Sequence, residues 1–280
     1  MYKIVSKRFL NSSVCEISVY APLVAKKAKA GQFIILRVDD NGERIPLTIA
    51  GFDRDKGTIN VIFQVVGAST EKLKNLNVED SISDFVGPLG NATEIGNEKK
   101  VCVVGGGVGC AIAYPVAKAF YENGTNVSVI SGFRNKEFVI LEDEFKNVSN
   151  NFICVTDDGS YGEKGNVCVP LEKMLESGES FDKIIAIGPI VMMKFVSKLA
   201  EKYNIPCIVS MNPIMIDGTG MCGGCRLTVD GKVKFACIDG PEFDGLKVDF
   251  DELLTRNNMY GEFERHAYKE TCNLLNKEAE

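Results

Sequence analysis

Residues 101–111 read VCVVGGGVGCA, and this stretch decides the fold. Four apolar residues, three of them β-branched, run into three glycines, and an apolar helical pattern then continues to a closing glycine at 124. Strand, glycine turn and helix in that order open a βαβ unit. Gly105, Gly107 and Cys110 fall on the G-x-G-x-x-G/A template, with Gly106, Val108 and Gly109 completing the turn. Glycines at such a turn let a pyrophosphate approach the backbone N–H groups of a helix N-terminus. The template is incomplete: its third position is cysteine. No acidic residue closes the second strand, where the chain has Gly132, Phe133, Arg134 and Asn135. The pattern favours a nucleotide site over a merely tight turn.

Strand and helix patterns alternate downstream: NVSVISGF (126–133), LEDEFKNVS (141–149), NFICVTDDG (151–159), PLEKMLESGES (170–180), FDKIIAIGP (181–189), VMMKFVSKLAEKYN (191–204) and PCIVSMN (206–212). That alternation predicts a parallel α/β sheet with helices on both faces. Ligands of such sheets sit beyond the carboxyl ends of the strands. Two loops there have suitable chemistry. Asp157 and Asp158, before Gly159, can bond ribose hydroxyls, and Gly188 and Pro189, shortly before Met192, let a flat ring lie close to the backbone.

Residues 1–98 have the alternating pattern of an all-β unit, punctuated by turn clusters such as DDNGE and DRDKG. This predicts a small β barrel. FVGPLGNATEIGNEKK (85–100) breaks the pattern and reads as a domain boundary. The expected organisation is therefore a barrel at 1–98 and an α/β domain at 99–212. A third unit at 213–280 holds a cysteine loop, a hairpin turning at Asp230-Gly231 and one charged helix over 250–277.

Hydrophobic residues make up 45% of the 280-residue chain and charged residues 25%, an ordinary globular composition. The net charge of −6 argues against nucleic acid and anionic membranes as partners. No signal-peptide core or membrane-length apolar run is visible. The chain reads as a soluble cytoplasmic protein. In that setting its ten cysteines are not a disulfide framework, and Cys15, Cys102, Cys154, Cys168 and Cys207, in strand-like runs, read as core packing.

Cys222, Cys225 and Cys237 lie in DGTGMCGGCRLTVDGKVKFAC (217–237) and are spaced for metal. Plant-type [2Fe–2S] sites use C-x₄-C-x₂-C with a distant fourth cysteine. Cys222 and Cys225 supply the inner pair and Cys237 the distant ligand, but five residues before Cys222 stands Asp217. A Rieske centre needs two histidines, and the chain has only His266. Three options stay open: carboxylate ligation by Asp217, a cysteine from elsewhere (Cys207 and Cys272 lack the spacing), or a zinc knuckle.

RIPLTIA, VVGAST, GPLG, VGGGVGCA, TDDGSYG, GPIVMM and GTGMCGGC occur in that order. As an ordered set they resemble the ferredoxin–NADP reductase superfamily. Within it the chain is similar to the branch with a C-terminal [2Fe–2S] domain. That branch holds the electron-transfer subunit of dihydroorotate dehydrogenase B and the small subunit of NADH-dependent ferredoxin:NADP⁺ oxidoreductase. The resemblance implies an FAD site at Arg44, Pro46, Leu47, Thr48 and Ile49, with Arg44 on the pyrophosphate and Thr48, the expected catalytic contact, near the reactive flavin edge. Val65, Gly67, Ser69 and Thr70 match its second phosphate loop. It implies NAD(H) across the turn at Gly105–Gly109, Arg134, the loop at Asp157–Gly159 and the loop at Gly188–Met192. It also implies aspartate at the fourth cluster position in the small-subunit branch and cysteine in the dihydroorotate branch, so Asp217 points to the former. The implied activity passes electrons between NADH, FAD and the cluster. A larger flavin and [4Fe–4S] partner subunit would carry the ferredoxin and NADP(H) chemistry, with electron bifurcation as the overall reaction. The alternatives are the dihydroorotate dehydrogenase B electron-transfer subunit and, from another class, a nucleotide-binding regulatory module with structural zinc.

Overall fold

The computed structural model describes the backbone of residues 1–278 and the side chains of residues 1–270. Cys272 therefore lies outside the described side chains. The N-terminal unit contains β1 (Tyr2–Phe9), β2 (Val14–Tyr20), α1 (Pro22–Lys27), β3 (Phe33–Arg37), β4 (Arg44–Asp53), β5 (Thr58–Gln64), α2 (Ala68–Asn75), β6 (Ser81–Ile82) and β7 (Asp84–Leu89). Its antiparallel sheet runs β6-β1-β2-β5-β4-β3-β7. The two end strands, β6 and β7, are one run of chain interrupted only at Ser83. The run pairs with β1 at one end and β3 at the other, so the sheet closes into a barrel. Ile34, Leu36, Ile49, Val61 and Phe63 fill it.

Two expectations change. The barrel segment carries two helices, because Pro22 can open one at a position that needs no N–H and Thr70 organises the start of the other. Residues 85–89, read as breaking the strand pattern at a domain boundary, are the closing strand β7; the pairing that makes them a strand is with β3, about fifty residues earlier, and no local pattern announces it.

The second sheet contains β8 (Lys100–Gly106), β9 (Asn126–Phe133), β10 (Asn151–Thr156), β11 (Glu163–Lys164), β12 (Lys183–Ile187) and β13 (Cys207–Ser210), connected through α3 (Cys110–Glu122), α4 (Glu142–Lys146), α5 (Cys168–Glu176) and α6 (Ile190–Lys202). The order β11-β10-β9-β8-β12-β13 is parallel throughout. The chain starts at β8, builds outward to β11, then crosses back to β12. The switch point therefore lies between β8 and β12. Helices cover both faces, α3 and α4 packing on one and α5 and α6 on the other. Cys102, Cys154 and Cys207 are buried in this sheet and Cys15 in the barrel, with Cys168 half-buried.

The third unit joins the second. After a hairpin of β14 (Arg226–Val229) and β15 (Lys232–Phe235), strand β16 (Glu242–Asp244) adds antiparallel to the edge of β13. Then come α7 (Phe250–Asn257) and α8 (Gly261–Glu278). Asp230 and Gly231 have φ of +53° and +67°, the left-handed pair that a two-residue hairpin turn requires. The single helix expected over 250–277 is two. The break falls at residues 258–260, between the end of α7 at Asn257 and the start of α8 at Gly261.

The units share cores. Val14, Ala50 and Ile62 of the barrel pack with α3 and β8. Phe33 and Ile35 of β3 pack with Cys225, Leu227, Ala236 and Cys237 in a core that continues under the parallel sheet. Barrel, parallel sheet and cysteine unit are thus one packed body.

Candidate functional site: a cleft beside the cysteine loop

A cleft of about 750 Å³ opens where barrel, parallel sheet and third unit meet. The barrel contributes Pro46, Leu47, Thr48 and Thr70, and the sheet contributes Gly106, Gly107, Val108 and Gly109. Arg134, Asp157, Gly188, Pro189 and Met192 line the same space. The remaining expected residues do not line it. Ile49 is fully buried in the barrel core, and Val65 packs against that core. Arg44 lies at the start of β4 with Nη1 4.0 Å from Asp84, a carboxylate that Arg37 Nε holds at 2.6 Å. Asp158 accepts from Ser160 N at 2.9 Å, with Gly159 in the same turn; the Ser160 side chain and N–H hold that carboxyl below the usual carboxylate range. Gly105 backs onto Cys110 under the turn.

Local chemistry explains the cleft's shape. Gly107 has φ +56°, and a side chain added there would meet nothing within 4 Å, so its backbone faces open space. At Gly109 a Cβ would lie 2.6 Å from Ile187 O and 2.7 Å from Gly188 Cα. Only glycine lets α3 press its N-terminus directly against the end of β12. Two helix N-termini, those of α3 and α6, therefore meet at the switch point, where their orphan N–H groups and dipoles favour an anion. On the barrel side, Thr70 Oγ1 accepts from Val66 N and Gly67 N, each at 3.0 Å, and donates to Gly67 O at 2.9 Å. Its hydroxyl is committed to shaping the loop. Ser69 Oγ is 3.5 Å from Glu43 Oε2.

Sequence reasoning missed the contribution of the segment that joins the second unit to the third. Met211, Asn212, Pro213 and Met215 line the cleft, as does Phe33, which pairs with Thr48 across β3 and β4. The available signal was position: SMNPIM follows the last parallel strand, at the edge where ligands of such sheets bind.

The cysteine loop packs beside this cleft. Gly218 approaches so closely that a Cβ would lie 2.7 Å from Ile35 Cγ1 and 3.1 Å from Leu89 Cδ1. Cys225 and Cys237 are buried with their sulfurs 3.2 Å apart. Burial, with Cys225 alongside, pushes the Cys237 thiol up to about 12. Exposed Cys222 behaves oppositely: the N–H of Gly224, 3.4 Å from its sulfur, is the largest influence lowering its pKa. Asp217 caps the loop. Thr219 Oγ1 donates to Oδ1 at 2.6 Å, while Thr219 N and Met221 N each donate to Oδ2 at 3.1 Å, holding the carboxyl below the usual range. Among the described residues no three His, Cys, Asp or Glu side chains already surround one point. The donor chemistry nonetheless fits an iron–sulfur cluster: two thiols meet at the hairpin, a third has backbone donors that favour its thiolate, and an ionised carboxylate closes the loop. His266 is remote, its Nε2 3.3 Å from Glu270 along α8. Among the described residues no helix is long and apolar enough to cross a membrane.

Comparison with known proteins agrees with this geometry. Residues 103–198 match the oxidoreductase NAD-binding domain, and residues 212–249 match the iron–sulfur cluster binding domain of dihydroorotate dehydrogenase B. A Thermotoga maritima homologue of the dihydroorotate dehydrogenase B (NAD⁺) electron transfer subunit is 46% identical over 95% of this chain and 94% of its own. The Streptococcus pneumoniae R6 electron transfer subunit is 32% identical, covering 86% and 94%. In the structure of the NADH-dependent reduced ferredoxin-NADP oxidoreductase, solved for insight into flavin-based electron bifurcation, one chain superposes with a TM-score of 0.91. It is 45% identical, covering 96% of this chain and 97% of that one. FAD, NAD and a [2Fe–2S] cluster are accordingly the redox groups, and the chain works as a subunit of an electron-transfer complex. Barrel, nucleotide sheet and cysteine loop together make this chain a member of the dihydroorotate dehydrogenase B electron-transfer subunit family, a flavin and iron–sulfur oxidoreductase subunit.

Proposed function

We propose that this subunit exchanges hydride between NAD(H) and FAD in the cleft and passes single electrons through the cluster to a larger flavin and [4Fe–4S] subunit. In this reading it is the small subunit of an NADH-dependent, electron-bifurcating ferredoxin:NADP⁺ oxidoreductase. One observation carries the coupling. Phe33 faces the cleft opposite Thr48, and Ile35 lies under Gly218 of the cysteine loop. Two residues of one strand, about 7 Å along its axis, connect the space for the flavin with the loop for the cluster.

Bound there, FAD and the cluster supply the conversion between two-electron hydride chemistry and one-electron transfer. The chain's own residues do the positioning. Pro46 and Leu47 would give a flavin an apolar wall, and the Thr48 hydroxyl would hydrogen-bond a ring nitrogen. Arg44 offers its guanidinium fork to the diphosphate, with Asp84 orienting it. Gly107 and the α3 N-terminus take the nicotinamide nucleotide's diphosphate, and Arg134, Asp157 and Asp158 take its adenosine end. Gly188 and Pro189 would let a nicotinamide ring lie against backbone, on the side of the cleft that faces Thr48. Cys222, Cys225, Cys237 and Asp217 are the proposed cluster ligands.

Asp217, where the resemblance implies cysteine in the dihydroorotate branch, favours this partner; the identities of 45% to the ferredoxin-NADP oxidoreductase chain and 46% to the dihydroorotate dehydrogenase B homologue do not separate the two. The match of residues 212–249 favours a second reading, electron transfer for a dihydroorotate dehydrogenase. Anaerobic purification of the native complex separates them. A co-purifying subunit with flavin and [4Fe–4S] absorbance that reduces NADP⁺ supports the first; a subunit that oxidises dihydroorotate overturns it.

A further inference from the structure

We infer that Met192 is a displaceable plug over the nicotinamide end of the nucleotide site. The inference rests on assigning the Gly106 and Gly188 turns to that nucleotide and adds a device that regulates its binding.

Met192 and Met193 are neighbours in the first turn of α6. Met193 is fully buried in the core under the parallel sheet; Met192, half-buried, packs against the edge of that same core and also lines the cleft. Side chains of a helix tilt toward its N-terminus, so Met192 runs back over Pro189 toward the switch point. A Cβ added to Gly106 would collide with Met192 Sδ, and one added to Gly188 would lie 2.9 Å from Met192 Cε. The thioether thus lies across two glycines on adjacent strand ends. Bare backbone at such positions admits a ligand, yet the room it leaves is filled by a side chain. One residue along, the space at Gly107 is open.

The site is therefore half covered. The diphosphate end can reach Gly107 and the α3 N-terminus with nothing displaced. The nicotinamide end can reach Gly106 and Gly188 only when Met192 leaves. An unbranched side chain with three rotatable bonds does this without moving the helix. The plug keeps the floor beside the flavin site dry when no nucleotide is present. It also weakens the nicotinamide contact relative to the diphosphate contact, which assists release of the used nucleotide.

Calorimetric titration of the FAD-loaded protein with NAD⁺ and, separately, with ADP-ribose tests the plug, since ADP-ribose has the diphosphate and lacks the nicotinamide. For Met192→Ala the expected result is NAD⁺ binding tighter by roughly three- to tenfold, the scale of ~1 kcal/mol, with ADP-ribose binding unchanged. Met192→Leu, which keeps the bulk, should follow the wild type for both ligands. Unchanged or weaker NAD⁺ binding in Met192→Ala overturns the plug, as does an equal gain for ADP-ribose. A wild-type protein that binds neither nucleotide overturns the site assignment together with the plug, whereas wild-type binding with no selective change overturns the plug alone.

Discussion

Phe33 and Ile35 leave β3 on the same face and meet different partners: Phe33 lines the cleft opposite Thr48, and Ile35 supports Gly218 of the cysteine loop. Ile34 and Leu36, on the opposite face, fill the barrel. One strand thereby carries barrel core, cleft wall and loop support, and this sharing explains why the cysteine loop is fixed against the cleft. Truncation at Ile35 should be felt at the cluster. Ile35→Val should lower stability by about 0.5–1.5 kcal/mol and Ile35→Ala by about 2–5 kcal/mol. In thermal melts the visible iron–sulfur absorbance should bleach together with unfolding of the barrel. Bleaching at an unaltered temperature in Ile35→Ala would show the loop to be independent of β3.

The sulfurs of Cys225 and Cys237 approach across the hairpin, and both are buried. Serine at either position removes a soft thiolate donor and leaves a buried hydroxyl. Cys225→Ser and Cys237→Ser proteins should therefore purify with flavin absorbance retained and the iron content per chain largely lost. Full iron occupancy in both variants would remove these two residues from the ligand set.

The glycines of the nucleotide turn should differ sharply in their tolerance. At Gly109 an added methyl meets backbone, Ile187 O and Gly188 Cα, which cannot rotate away. Gly109→Ala should push α3 off β12, with loss of NAD⁺ binding and lower thermal stability. At Gly107 the methyl meets nothing, and the cost is only that of holding φ +56°, about 1–2 kcal/mol for an L-residue. Gly107→Ala should fold and bind NAD⁺ more weakly. A Gly109→Ala protein that melts and binds like wild type would contradict the packing argument.

These contrasts bear on what was legible in the sequence. The β8 turn and the Asp230-Gly231 hairpin could be read because each is local: the residues that set the backbone are neighbours in the chain. Strands β7 and β16 escaped notice because they are short and defined by partners far away in sequence, β3 for one and β13 for the other. The site divides in the same way. Thr48, Gly107 and Gly188 stand in motifs and Arg134 follows the second strand of the sheet, and each lines the cleft. Met211, Asn212 and Met215 became visible only when β16 had fastened the third unit to the sheet, because no spacing in SMNPIM marks a contact with a barrel 160 residues earlier.

Glu242 gives the joint between these units a pH dependence. It sits on β16, half-buried, and accepts from Thr93 Oγ1 at 2.6 Å; burial raises its pKa, opposed by the Thr93 hydrogen bond and the charge of Lys183. A carboxyl whose folded pKa exceeds its unfolded value binds protons more readily in the folded state. Its contribution is greatest in acid, and stability falls as pH rises from the unfolded pKa through the folded one. Glu242→Gln keeps an acceptor for Thr93 and removes the buried charge. The variant should therefore melt at a higher temperature than wild type at pH 8, with the difference shrinking toward pH 4. The opposite trend across that range would show that the charged form is the favoured one.

Asp217 supports two roles that one substitution can separate. Its carboxylate holds the loop through Thr219 and Met221, and we propose that it also ligates iron when the cluster is present. A carboxylate oxygen donates less charge to iron than a thiolate does. As a ligand, Asp217 therefore stabilises the reduced cluster relative to a four-cysteine site and holds the potential higher. Asp217→Cys should lower the midpoint potential in a redox titration followed by electron paramagnetic resonance. Asp217→Ala should lose both the loop bonds and most of the iron. An unchanged or higher potential in Asp217→Cys, with iron content intact, would leave the residue as a loop cap alone. The fourth ligand would then have to come from another part of the complex.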